Sequence, residues 1–230
     1  MVGLERFVLP VFLLFVLLAS GCISPQPEAT PTPAPTVAPA ATPITGPTPT
    51  PINLGSAVRD VVDSGNPDRA DELLDLGKGA IPAYLELLRE NNTFGRWCAL
   101  YALSNVAYDL DAAEKAGITG ELVPLFTQDP TSIRMMAAAV ATELGDKRGI
   151  PVLIGSLNET ARFRDSEPPA PICYYANGFL VRFTDVDFDY SCNYEGYNAT
   201  AQAQWQEWWE ANGAQLEWNG YAKRFGVPND

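Results

Sequence analysis

Residues 129–157 read DPTSIRMMAAAVATELGDKRGIPVLIGSL, and their apolar spacing predicts two consecutive helices. Asp129 followed by Pro130 is typical of a helix N-terminus, where the missing N–H of proline costs nothing. Gly145 is expected to end the first helix. Apolar residues at i, i+3 and i+4 spacing form one stripe on each helix: Ile133, Met136, Ala137, Val140, Ala141 and Leu144, then Ile150, Leu153, Ile154 and Leu157. Such a unit cannot bury its apolar face alone, so neighbouring units must stack against it.

Similar elements are predicted before this unit. Residues 54–64 form a short capping helix with valines at helical spacing, and residues 67–76 and 79–90 form a first helix pair. The second helix of that pair repeats the same apolar set: Ile81, Tyr84, Leu85 and Leu88.

The second pair is less regular. Thr93 is the expected cap of a helix that reaches Ala107. Alignment with the stretch above places Cys98 in the core, where a thiol behaves as a small apolar side chain. An insertion over residues 108–118 then separates this helix from a short second helix at 122–126.

These units resemble HEAT repeats, in particular the short bacterial and archaeal type related to phycobilisome-lyase repeats. The matching features lie within residues 67–157: an arginine and small residues in the first helix, a Leu-Gly turn, and an Ile-Pro start of the second helix. The resemblance implies an all-α fold, an α-solenoid of about four helix pairs over residues 53–230. It also implies a protein-binding or scaffolding surface, and it does not by itself imply an enzyme.

The N-terminus has the features of a secretory signal over residues 1–21. Arg6 precedes an apolar run from Phe7 to Ala19, which is too short to span a bilayer as a helix. The stretch LASGC, ending at Cys22, resembles the lipobox of prokaryotic lipoproteins. That resemblance implies cleavage before Cys22, a lipid on its thiol, and a protein anchored to the cell membrane that faces outside the cytoplasm. An uncleaved anchor, or a signal cut elsewhere, is the alternative.

Residues 22–52 are rich in proline and threonine and show no apolar periodicity. Proline at this density favours an extended, polyproline-II-like backbone without a packed core. We therefore expect a disordered stalk that holds the helical domain away from the membrane.

Charge and composition exclude several kinds of function. The chain has 15 Lys and Arg against 28 Asp and Glu, a net charge of −13, which disfavours nucleic acid as a partner. It has no histidine, which excludes Ser-His and Cys-His catalysis and His-ligated zinc. The run Asp185-x-Asp187-x-Asp189 begins like a calcium loop, but Tyr190 stands where that loop needs glycine. No catalytic residue, cofactor or metal site is predicted.

Residues 169–212 are expected to form a fourth, divergent pair. An apolar stripe marks its first helix, and a second helix follows over residues 198–211. Trp205, Trp208 and Trp209 share one face of the second helix. They either pack in the core of the last repeat or form a surface for a ligand or partner.

The remaining candidate sites are modifications. Cys173 and Cys192 are predicted to form a disulfide, since an extracytoplasmic compartment permits one; two separate thiols are the alternative. Three Asn-x-Thr sequons, at Asn91, Asn158 and Asn198, are candidates for glycosylation. Asn and Thr are also the residues that turns and helix caps prefer.

The expected function is that of a membrane-anchored, non-catalytic scaffold whose partner is another envelope or secreted protein. The alternative is a ligand-binding lipoprotein that uses the C-terminal aromatic residues, including Tyr174 and Tyr175. A lyase-type enzyme is the third class, and only the ancestry of the repeats favours it.

Overall fold

The computed structural model describes residues 53–128, 130–163 and 170–228, which lie in the compact unit Thr50–Asp230. This part of the chain is mostly helical. Its α-helices are α1 (Leu54–Ser64), α2 (Ile81–Arg89), α3 (Thr93–Val106), α4 (Ala112–Leu122), α5 (Thr131–Glu143), α6 (Gly149–Gly155), α7 (Ile172–Thr184) and α8 (Ala199–Asn212). Shorter 3-10 segments are Pro67–Ala80, Ala107–Asp109, Val123–Thr127 and Ser156–Asn158. None of the described helices has both the length and the apolar character needed to cross a membrane.

The predicted signal peptide, Cys22 and the stalk over residues 22–52 lie outside the described residues. Within them, the capping helix is confirmed as α1, whose Val58, Val61 and Val62 are buried. The predicted helix at 67–76 is a 3-10 segment instead of an α-helix. Gly77, at φ 58° and ψ −160°, breaks the helical path there before α2 begins.

Helix caps differ from the expected ones at two positions. α3 is capped by Asn92, not Thr93: the Asn92 side-chain oxygen accepts from the Gly95 N–H at 3.0 Å. α5 begins at Thr131 after Pro130, which has an extended backbone and provides no side-chain cap. Asp129, the cap predicted for that helix, lies outside the described residues.

The predicted insertion at 108–118 is largely helical, because it contains the start of α4. Asp111 accepts from the Ala113 and Glu114 N–H groups, and the Glu114 carboxylate accepts from the Asp111 N–H. This reciprocal capping box satisfies N–H groups that have no partner within the helix. The predicted short helix at 122–126 is the 3-10 segment that follows.

α5 is buried on both sides and separates two hydrophobic clusters. Ile133, Ala137 and Val140 belong to the first cluster, which α1 to α4 complete. Met135, Ala138 and Ala139 belong to the second, which α6 to α8 and the C-terminal residues complete. The predicted stripe on α5 is therefore only one of its two buried faces. The second predicted stripe is confirmed as buried: Ile150, Leu153 and Ile154 lie on α6, and Leu157 lies in the 3-10 segment that follows it.

The chain ends in an antiparallel hairpin that an all-α fold did not predict. Strand β1 (Glu217–Asn219) pairs with β2 (Arg224–Gly226), with Trp218 opposite Phe225. These two rings are 5.0 Å apart between centroids. The side chain of Asn219 accepts from two N–H groups of the connecting loop and so fixes the turn. β2 packs against α7, which places the hairpin on the second cluster.

Candidate functional site: a groove beside the C-terminal hairpin

An open, shallow groove of about 630 Å³ lies where α4, the α5–α6 turn and the hairpin meet. We call it the hairpin groove. It is lined by Ala112, Lys115, Ala116 and Thr119 of α4, by residues 144–148 of the turn, and by Leu216, Trp218 and Phe225. Its volume is within the range of small-molecule binding sites. Such sites, however, are usually deep enough to bury most of the surface of the ligand, whereas this groove is open to solvent. It is better suited to a segment of another chain.

The Leu-Gly turn shapes one wall of the groove. Gly145 has φ +93°, a conformation that residues with a Cβ rarely adopt. A Cβ at this position would also lie 3.0 Å from Cγ of Trp218, so the indole packs directly on the turn. The glycine that follows α5 thus makes room for the hairpin.

Lys147 holds the start of the hairpin against the turn. Its ammonium group donates to the carbonyl oxygens of Ala214 at 2.9 Å and Leu216 at 3.2 Å. These bonds cross from the α5–α6 turn to the chain that leads into β1. These bonds end on backbone oxygens, and no carboxylate of the described residues forms an ion pair with Lys147.

The charges in the groove differ from those of the whole chain. The groove is lined by three basic residues, Lys115, Lys147 and Arg148, and by one acidic residue, Asp146. Asp146 and Arg148 form an ion pair at 2.5 Å. Burial opposes ionisation of Asp146, but its hydrogen bonds to Arg148 prevail and lower its pKa. The lining therefore has a net charge of +2, whereas the chain has a net charge of −13.

A buried carboxylate lies next to the groove in sequence and ties the hairpin to the helices. The Tyr108 hydroxyl donates to the Glu143 carboxylate at 2.6 Å, and the Arg182 guanidinium donates to the same oxygen at 2.7 Å. Lys223, in the hairpin loop, lies 5.3 Å from the Tyr108 ring centroid. Burial raises the pKa of Glu143 despite these donors. The cluster joins α5, α7 and the hairpin, and this bonding fits a structural role.

The predicted tryptophan surface divides between core and surface. Trp205 is fully buried, and its indole N–H donates to the Asn177 side chain at 3.2 Å. Its ring makes edge contacts with Phe188 and Trp208. Trp208 and Trp209 are half-buried beside it. The structure therefore assigns Trp205 to the second cluster, where it is not available to a ligand or partner.

The predicted disulfide is present. Cys173, at the start of α7, is bonded to Cys192 in the loop before α8, with Cα atoms 6.3 Å apart. Cys98 is fully buried in the first cluster, as expected.

The three sequons occupy different environments. Asn91 and Asn158 are exposed, whereas Asn198 is half-buried and its side chain caps α8 by accepting from Thr200 and Ala201. Glycosylation of these residues stays a prediction. Asp185 of the acidic run pairs with Arg224 of β2. Within the described residues, no three His, Cys, Asp or Glu side chains are arranged to hold a metal ion.

Sequence reasoning missed the hairpin half of this groove. Its signal is the dipeptide Asn219-Gly220 between two short segments that each have a central aromatic residue, a pattern that favours a hairpin.

Comparison with protein-family models, with curated proteins and with solved structures finds no match for this chain.

Proposed function

We propose that this chain is a lipid-anchored, extracytoplasmic protein whose helical domain is a non-catalytic scaffold for another envelope or secreted protein. The location is inferred from the sequence. Cys22, at the end of the lipobox-like stretch, receives the lipid, and residues 22–52 hold the domain away from the membrane.

The domain itself is proposed to be an α-solenoid of about four HEAT-like helix pairs. The packing order of the helices supports this proposal. α2 packs against α3, α3 against α5, α5 against α6, and α6 against α7. An inner unit of a stack contacts a neighbour on each side, and the two buried faces of α5 agree with that position.

The hairpin groove is the observation on which partner binding rests. Trp218 and Phe225 give it an aromatic floor, and Tyr221 in the adjoining hairpin loop is 99% exposed. Exposed aromatic residues are enriched where proteins bind one another, because they contribute large contact areas at low entropic cost. A fully exposed tyrosine in the loop between the two strands that line the groove is a suitable anchor for a protein partner.

The test is capture of the partner from native membranes with full-length protein, tagged at the C-terminus through a long linker. Tyr221→Ser removes the exposed ring. Tyr194→Ser is the matched control, since Tyr194 is 49% exposed and lies outside the hairpin. We expect one partner to be captured by the wild type and the control and lost from Tyr221→Ser, with a bait that begins at lipidated Cys22. Equal capture by all three proteins contradicts docking at the hairpin.

A ligand-binding lipoprotein is the second candidate, and the indole of Trp218 in the groove favours it. The same purification separates the two proposals. A small molecule retained by the purified protein, with no protein partner, supports ligand binding and contradicts the scaffold.

A further inference from the structure

We propose that the hairpin groove receives an acidic segment of its partner, with an apolar side chain on the aromatic floor and carboxylates on the basic rim. This inference rests on the proposed function, since it names the chemistry of the partner at that site. It begins from the charge of the groove, which is opposite in sign to that of the chain.

The rim retains hydrogen-bond donors that no described residue uses. Lysine has three donors, and Lys147 uses two of them on backbone carbonyls. Arg148 binds Asp146 through Nε and Nη2, which leaves the Nη1 donors unused. Lys115 forms no ion pair or side-chain hydrogen bond with the described part of the chain. Carboxylates are the natural acceptors for these donors, since hydrogen bonds between charged groups are the strong ones.

The aromatic floor fits the apolar part of the same segment. Trp218 is half-buried, and Leu144 and Phe225 line the groove beside it. A hydrophobic contact inside a ring of charged contacts is the common arrangement of protein interfaces. An acidic segment with one aromatic or aliphatic residue can contact both the aromatic floor and the basic rim.

The surrounding charge limits which anions fit. A nucleic acid or an anionic membrane would meet the net charge of −13 over a wide area and be repelled. A short acidic segment bound in the groove interacts chiefly with the charges of the groove itself, because salt screens charges that lie more than about 8 Å away at physiological ionic strength. The groove therefore favours a peptide segment over an extended polyanion.

The experiment selects peptides from a random displayed library on the full-length protein in detergent micelles. Selected peptides are then measured by fluorescence polarisation against Lys115→Glu, against Tyr221→Ser and against Arg162→Glu. Arg162 is exposed, does not line the groove and receives the same change of charge as Lys115. None of the three side chains is part of the core, so the variants retain the fold, which circular dichroism verifies.

We expect the selected peptides to have a net negative charge and at least one aromatic or aliphatic residue. Their affinity should fall about tenfold or more in Lys115→Glu, because like charges brought together in an interface are costly. Arg162→Glu should bind as the wild type does. Acidic peptides that bind Lys115→Glu as tightly as the wild type overturn the inference.

The remaining outcomes separate this inference from the proposed function. Neutral or basic peptides that bind the wild type and are lost from Tyr221→Ser overturn the acidic segment but support docking at the hairpin. Failure to select any peptide, or binding that neither Lys115→Glu nor Tyr221→Ser changes, overturns both.

Discussion

Gly149→Ala is expected to be strongly destabilising, because α6 lies too close to α5 at this residue to leave room for a Cβ. A Cβ atom built on Gly149 lies well inside 3.0 Å of both Thr142 Oγ1 and the carbonyl oxygen of Ala138, a limit that real Cβ atoms essentially never cross. It also lies 3.1 Å from the Ala138 carbonyl carbon. Since two of these atoms belong to the backbone, rotation of a side chain cannot relieve the overlap, and α6 must move away from α5.

The expected loss is about 1–3 kcal/mol of unfolding free energy, the usual cost of overpacking a core. For a folded unit of this size, that corresponds to a fall in Tm of roughly 2–4 °C per kcal/mol. Gly178→Ala is the matched control. Gly178 lies inside α7, is exposed and has no atom within 4 Å of the added Cβ. It should instead gain about 0.5–1 kcal/mol from the higher helix propensity of alanine.

Urea unfolding followed by circular dichroism measures both variants against the wild type. A third variant, Gly149→Ala combined with Thr142→Ala, tests the cause. Removing the Thr142 hydroxyl leaves the Ala138 carbonyl in place, so the double variant should not recover the stability lost in Gly149→Ala. A Gly149→Ala protein as stable as the wild type would refute the close approach of α5 and α6.

Three further predictions concern other parts of the fold. Trp205→Ala should cost about 3–5 kcal/mol, because Trp205 is fully buried, and urea unfolding checks this. Replacing both Cys173 and Cys192 by serine should lower stability by about 3 kcal/mol, the entropy expected for a loop of this length, with no further effect of a reductant on the variant. Burial raises the pKa of Glu143, so the stability that its protonated form contributes is present below pH 4.5 and is lost as the pH rises through the higher folded pKa. The unfolding free energy of the wild type minus that of Glu143→Gln should therefore decrease as the pH rises from 4.5, and a flat or rising difference would contradict the raised pKa.

Local signals in the sequence sufficed for much of the helical part. The i, i+3, i+4 spacing of apolar residues located α1 at the bounds the structure has, and it identified the buried positions of α6. The disulfide between Cys173 and Cys192 was predicted from an expected extracytoplasmic compartment, since the other two cysteines, Cys22 and Cys98, had other expected roles. These features depend on neighbours in sequence or on a small number of alternatives, which is why a single sequence determines them.

The features that were missed depend on contacts between distant residues. One stripe on α5 was expected, but Met135 and Ala139 also lie in a core, because a second cluster packs on the opposite side. α4 has little apolar periodicity, and its capping box at Asp111 and Glu114 was the signal that was overlooked. The groove needs Lys147 to meet a segment more than sixty residues away, at Ala214, which no local pattern indicates.

The position of α5 between the two hydrophobic clusters also determines how the domain unfolds. If the elements of one cluster unfolded alone, one buried side of α5 would become exposed while its other side remained packed in the other cluster. This exposure lowers the stability of α5, on which both clusters depend. The elements of both clusters should therefore melt in one cooperative transition and not in sequence. In native-state hydrogen exchange, the amides of α5 should be among the slowest to exchange, and their opening free energy should equal that of global unfolding.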